Sequence, residues 1–207
     1  MSGIKLHYVL DPMCSWCWAF RPSWQALLEE LPVQTQVEYI MGGLAPDSDE
    51  PMPEKMQEYL RSVWQSIAAK TGAQFNLDFW QNNQPRRSTY PACRAVIAAG
   101  FQSPQVIPNM IYGIQKAYYL DAKNPSDKET LLSVAGKIEL DTERFAIDLE
   151  SVEVESEFQR QLQLTHQFGV QGFPCVVVQQ DQQASYLAQG YCDKETLLHL
   201  WRMMLQG

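Results

Sequence analysis

Two cysteines three positions apart, placed where an apolar run meets a helical stripe, limit what this chain can fold into more than any other feature. The run is IKLHYVL, closed by Asp11-Pro12, and the pair is Cys14 and Cys17 within DPMCSWCWAF. A short apolar run ended by turn formers reads as a buried strand. From Cys17 onward Phe20, Trp24, Leu27 and Leu31 recur at helical spacing until Pro32 stops the pattern. Pro22 lies inside the stripe, removes one backbone donor and is expected to kink the helix. A second strand follows in VQTQVEYIMGGL, where Val37, Tyr39 and Met41 alternate before Gly42-Gly43. The pair therefore occupies the first turn of the helix in a strand–helix–strand unit.

That placement separates the two sulfurs. Cys17 heads the apolar stripe and is expected to point inward. Cys14 lies one turn earlier, where unpaired N–H groups favour an anion. Only a thiolate attacks a disulfide, so Cys14 is expected to be the exposed nucleophile and Cys17 the shielded resolving thiol. Ser15 is placed to offer a hydroxyl to the sulfur, and Trp16 to present an apolar contact to a polypeptide. Two plainer readings compete. A structural zinc site wants four ligands, but there is one pair here, and His7, His166 and His199 are not in ligand spacing, so no metal is expected. Inert core thiols are the other, and a strand-to-helix junction is a poor place to bury two of them.

After Leu44 the pattern changes. APDSDEPMP is a linker of turn formers. Met56, Tyr59, Leu60, Val63, Trp64 and Ile67 then trace a helix closed by Gly72, and FNLDFWQNNQPRRSTYP reads as irregular. Further helices are expected over Ala92 to Ala99, around Val106 to Tyr118, after a capping box of Ser126 and Glu129, over Thr142 to Leu149, and up to about Phe168. Residues 46–164 form an almost purely helical block on this reading. The tail returns to strands: Cys175 to Gln179, a turn at 181–183, ASYLAQG, and a closing helix capped by Asp193. Neither the opening unit nor this hairpin with its helix can bury both faces alone. Joined, they give an α/β fold in which residues 1–45 and 165–207 build a four-stranded sheet and 46–164 interrupt it. Pro174 directly precedes a strand, a position that suits a cis bond in a tight turn, with an ordinary trans proline as the alternative. The Gly172-Phe173-Pro174 turn is expected to leave the Phe173 backbone open to an extended peptide.

Charge narrows the partners. The 207-residue chain carries a formal net charge of −8, and no window concentrates Lys or Arg. That argues against nucleic acid and against an anionic membrane surface. The pair Arg86-Arg87 reads as solvated surface. No apolar run approaches membrane-spanning length. The start, MSGIKLHYVL, lacks the features of a secretory signal, and the five cysteines are an odd number, so a cytoplasmic location is expected.

Four segments in order, DPMCSWCWAFRP, MGGL, YPACRAVIAA and GVQGFP, resemble the DsbA superfamily, and within it the FrnE-like branch of cytoplasmic protein-disulfide isomerases. The resemblance implies a thioredoxin fold with an inserted helical domain. It implies that Cys14 attacks, Cys17 resolves, Pro174 is the cis-proline facing the pair, and Phe173 contacts substrate. It also implies that YPACRA lies across the catalytic face and brings Cys93 close. Two departures stand out. Thioredoxin keeps an acid in its first central strand to move the resolving thiol's proton, whereas IKLHYVL offers only His7. The position after Pro174, usually Thr or Ser, is Cys175, a third thiol expected near the dithiol, and Cys192 is expected to approach the same rim. The implied activity is disulfide reduction or isomerisation on protein or small-molecule thiols and disulfides, without a cofactor and with glutathione open as a co-substrate. Two alternatives stay in play. Kappa-type glutathione transferases and hydroxychromene-carboxylate isomerases resemble the same fold but commonly carry Ser where Cys14 stands. A redox-switched binding or chaperone module is the other.

Overall fold

Strand β1 (Lys5–Leu10) is the second of four in one sheet, ordered β2-β1-β3-β4 with β2 (Gln36–Met41), β3 (Cys175–Gln180) and β4 (Gln183–Gln189). β1 runs parallel to β2 and antiparallel to β3, and β3 runs antiparallel to β4. The sheet is therefore mixed, because a helix connects β1 to β2 while a hairpin joins β3 to β4. The computed structural model describes residues 4–181 and 183–206. Residues 1–3 of the chain start and Gln182 in the expected 181–183 turn lie outside the described residues.

Side chains alternate along β1, which sets the two faces of the sheet. Leu6, Tyr8 and Leu10 join Cys17, Phe20, Trp24 and Leu27 of α1 (Ser15–Glu30), together with Leu197, Leu198 and Trp201 of α9 (Lys194–Met204). On the opposite face Val9, Ile40, Cys175 and Val177 pack against Leu164 and Phe168, at the end of α8 (Val152–Gln167). Helix α1 runs unbroken through Pro22. Asp193 caps α9 as expected, accepting from the Thr196 amide at 2.8 Å.

Between β2 and α8 the chain is helical: α2 (Glu54–Thr71), α3 (Phe79–Asn82), α4 (Tyr90–Gln102), α5 (Ile107–Tyr119), α6 (Lys128–Lys137) and α7 (Thr142–Asp148). Gly72 ends α2 in the left-handed region at φ 74°, a conformation only glycine adopts freely. Two details differ from expectation. The segment read as irregular contains the short helix α3, whose Phe79 and Trp80 plug an aromatic cluster around Trp64. The capping box is not formed. Helix α6 starts at Lys128 after Asp127, and the Ser126 hydroxyl donates instead to the Ser88 carbonyl at 2.7 Å. Both Ser88 and Ser126 are buried, so a carbonyl with no water available takes the hydroxyl in preference to a helix end. The expected division at 164/165 falls within α8, which leaves the helical block and lies down on the sheet in one piece. No helix among the described residues is long and apolar enough to cross a membrane.

Candidate redox site at the start of the first helix

Cys14 is the N-cap residue of α1, with an extended backbone (φ −81°, ψ 117°), and Cys17 lies in the first turn. No acidic residue occupies that turn, whose N–H groups are open. Both thiols are free. Cys17 is fully buried, and Cys14 is only 8% exposed. The expectation of an openly exposed Cys14 is corrected accordingly. The helical block folds over the helix tip, and Cys14 is reached through a cleft of about 270 Å³ that is also lined by Met52, Trp64, Tyr118 and Phe173. Ser15 lines the cleft without a hydrogen bond to the sulfur among the described residues. Trp16 is half-buried against Tyr191, with ring centroids 5.4 Å apart, and Lys70 stands 5.5 Å from its ring centre.

The Phe173–Pro174 bond is cis, and the Phe173 carbonyl accepts from Cys14 Sγ at 3.7 Å. That carbonyl, expected to be free for a peptide, is thus occupied by the thiol while the pair is reduced. Gly42 makes room for this turn: an added Cβ would overlap the Phe173 ring.

Burial pushes the Cys17 thiol well above its ordinary pKa, and its hydrogen bond and proximity to Cys14 push it further. Burial thus favours the protonated form of Cys17.

A third group went unread in the sequence. Asp11, taken there as a strand-ending turn former, is fully buried behind the pair. Its Oδ1 accepts from the Met13 amide at 2.7 Å. Its Oδ2 accepts from the Leu44 amide and the Thr89 hydroxyl, both at 2.6 Å, and from Cys93 Sγ at 3.6 Å. Burial raises its pKa, and these four donors only partly offset that. The contact to Met13 is an Asx turn and was legible in Asp-Pro-Met. The contacts to residues 44, 89 and 93 close only in three dimensions. The Tyr119 hydroxyl adds a further tie, donating to the Met13 carbonyl at 2.7 Å.

The other expected residues divide. Cys93 reaches the back of the site through Asp11. Cys175 does not: it follows Pro174 but falls on the odd side of β3, in the cluster on the α8 face. Cys192 sits where the end of β4 meets α1, its carbonyl accepting from the Ser23 hydroxyl at 3.1 Å. Burial raises both thiols to about 11. His7 also faces away, with Nε2 at 2.9 Å from Gln179 Oε1, Nδ1 at 3.0 Å from Glu38 and its ring against Phe168. One-residue alternation along β3 and β1 decides the cases of Cys175 and His7. Arg86 is not solvated surface: it donates to the Ser126 carbonyl at 2.9 Å and pairs with Asp127. Arg87 is exposed and lines the cleft. Among the described residues no three His, Cys, Asp or Glu side chains gather as a metal site would need.

Residues 7–197 match the family model described as Thioredoxin. The chain belongs to the thioredoxin family. A candidate protein disulfide isomerase from Nitrosomonas europaea has a structure similar to that of this thioredoxin-family chain, at TM-score 0.88 and 27% identity, with 99% of this chain and 98% of the other covered. The cytosolic disulfide reductase DsbM from Pseudomonas aeruginosa superposes at TM-score 0.80 with 22% identity and 98% of each chain covered. The oxidoreductase DsbA from Xylella fastidiosa shares the fold at TM-score 0.63 and 15% identity, covering 99% of this chain and 86% of its own. A curated relative, the ClpXP adapter protein SpxH from Bacillus subtilis (strain 168), is 26% identical over 150 residues, which are 72% of this chain and 49% of SpxH. The chain thus spans about half the length of that relative. The DsbA-like thioredoxin fold with its helical insertion is established by these likenesses.

Proposed function

We propose that this protein is a cytoplasmic thiol–disulfide reductase or isomerase in which Cys14 attacks and Cys17 resolves. One observation carries the reading: a cleft-floor thiol at a helix start hydrogen-bonds the carbonyl before a cis-proline, while its partner lies sealed beneath. The Cys14 thiolate, held by the open N–H groups of the first turn, attacks one sulfur of a substrate disulfide. A Cys14–substrate disulfide forms and the other substrate sulfur leaves as a thiolate. Cys17 then gives up its proton and attacks Cys14, which releases the second substrate thiolate and leaves a Cys14–Cys17 disulfide. An external thiol restores the reduced pair.

The cleft constrains the substrate. About 270 Å³ of mostly apolar space admits a small disulfide or one extended strand, not the face of a folded domain. Trp16, Phe173 and Pro174 are the proposed substrate contacts, with Ser15 at the cleft wall and Arg87 offering a cation to a carboxylate. Glutathione fits that description as co-substrate, and the DsbM structure with GSH supports it by analogy. We assign Cys93 an accessory part through Asp11, and none to Cys175.

Insulin reduction driven by glutathione tests the reading. Wild type should turn over, Cys14→Ser should be inactive, and Cys17→Ser should accumulate a mixed disulfide on Cys14. Turnover that survives Cys14→Ser would sink it. A second reading, a redox-switched adapter, is favoured by the SpxH likeness. A dithiol that cycles reversibly but reduces no disulfide catalytically would select it.

A further inference from the structure

The resolving thiol has a second opening that the proposed reaction leaves unused. On the flank of α1 away from Cys14, a cavity of about 150 Å³ is lined by Cys17, Tyr8, Tyr39, Arg21, Gln115 and Asn109, among others. It shares no lining residue with the cleft over Cys14. Its inner end is Cys17 and Tyr8, buried in the sheet-facing core. Its outer end is at the surface, where Gln25 and Asn109 are exposed. A passage between α1 and α5 therefore runs from the buried sulfur to solvent.

Its lining is polar where the core around it is apolar. Tyr8 and Cys17 line the same cavity and pack in the same core cluster. The Tyr39 hydroxyl accepts from Trp24 Nε1 at 3.3 Å, which leaves its own proton free to donate. Gln115, only 2% exposed, is among the lining residues. Arg21 lies at 4.0 Å over the Tyr112 ring and pairs with no carboxylate among the described residues. A cavity of this size with polar side chains in its wall accommodates several water molecules.

We infer that the Tyr8 hydroxyl, backed by this passage, carries the Cys17 proton to solvent during the resolving step. The inference rests on the proposed roles of Cys14 and Cys17. As Cys17 Sγ attacks Cys14 Sγ, the Cys17 proton passes to the Tyr8 oxygen. Tyr8 simultaneously gives its own proton to water in the passage, so the phenol stays neutral. The new sulfur–sulfur bond forms, the Cys14–substrate bond breaks, the substrate sulfur leaves with the electron pair, and one proton reaches bulk. Burial and the nearby sulfurs hold the Tyr8 phenol well above its ordinary pKa, which fits a relay and not a base. The passage also keeps the proton's exit away from the cleft that the substrate fills.

Stopped-flow reaction of the reduced protein with 5,5′-dithiobis(2-nitrobenzoate) separates the steps. Attack by Cys14 releases one thionitrobenzoate, and resolution by Cys17 releases a second. Tyr8→Phe should leave the first phase unchanged, slow the second about ten-fold or more, and make that phase steeper with pH as hydroxide replaces the relay. Gln115→Leu, which obstructs the passage and keeps the Tyr8 hydroxyl, should slow the same phase. An unchanged second phase in either correctly folded variant overturns the inference while the dithiol mechanism stands. A wild type that releases only one equivalent removes both.

Discussion

Asp11 shows how one buried carboxyl can organise a reactive turn. It accepts from Met13, Leu44, Thr89 and Cys93, and so joins the turn before the dithiol to the end of β2 and to α4. Its folded-state pKa lies above the ordinary 3.8 because burial outweighs those hydrogen bonds. The folded chain therefore binds this proton more tightly than the unfolded one. The associated stability is complete below the ordinary value and is lost as pH rises through the raised one. Asp11→Asn should destabilise by about 1–3 kcal/mol through mismatched donors, and its deficit should shrink from acid to alkaline pH, because only wild type comes to hold a buried charge. Urea melts across that range measure this, and a deficit that grows with pH contradicts it. Cys17 is tuned in the same direction by the same cause, burial behind the helix tip.

Among the elements, β2 carries two features whose effects separate. At its C-terminal end Gly42 lies under the Phe173 ring. Gly42→Ala must push that ring and the Phe173 carbonyl away from Cys14. Disulfide reductase activity should fall about ten-fold or more, with a stability loss of roughly 1–3 kcal/mol from overpacking. A fully active Gly42→Ala would show that the placement of Phe173 does not matter. In mid-strand Glu38 pairs with Lys5 at 2.7 Å and His7 at 3.0 Å, and it approaches Arg160 of α8 at 3.5 Å. The hydrogen bond from His7, followed by that from Lys5, holds its carboxyl at about 2 against the usual 4.5. A depressed carboxyl stabilises above the unfolded value and loses that contribution as pH falls through the folded one. Glu38→Gln should flatten the acid limb between 4.5 and about 2 and cost on the order of 1 kcal/mol near neutrality, a modest figure because solvent screens a partly exposed pair. Thermal melts of both proteins at several acid pH values give the comparison. An acid limb that keeps its slope in the variant would assign the effect to other carboxyls.

For the molecule as a whole, the helical block makes the cleft. Tyr119 of α5 donates to the Met13 carbonyl, and Trp18 of α1 donates to the Gln74 carbonyl at 3.0 Å, so the turn carrying Cys14 is pinned from outside the sheet. Tyr119→Phe should cost about 1–3 kcal/mol, the price of a buried acceptor left unpaired, and should loosen the turn enough to raise alkylation of Cys14 by iodoacetamide. Equal alkylation rates in the two proteins would show that the block does not shield that thiol. Much of this architecture was legible before any coordinates. Strand and helix periodicity in the first and last segments, the helical stripes between them, and a proline ahead of the third strand are local signals, and they located the sheet, the insertion and the turn facing Cys14. What was not legible depended on distance in the chain. Which face of β3 Cys175 takes, how far the block covers Cys14, the partners of Asp11 at residues 44, 89 and 93, and the passage behind Cys17 all follow from packing between remote segments. Sequence alone determined the elements and the dithiol, because hydrophobic period and residue type act over a few neighbours. Tertiary structure decided which groups surround each sulfur, because burial and hydrogen bonding belong to the assembled core and not to any one stretch of chain.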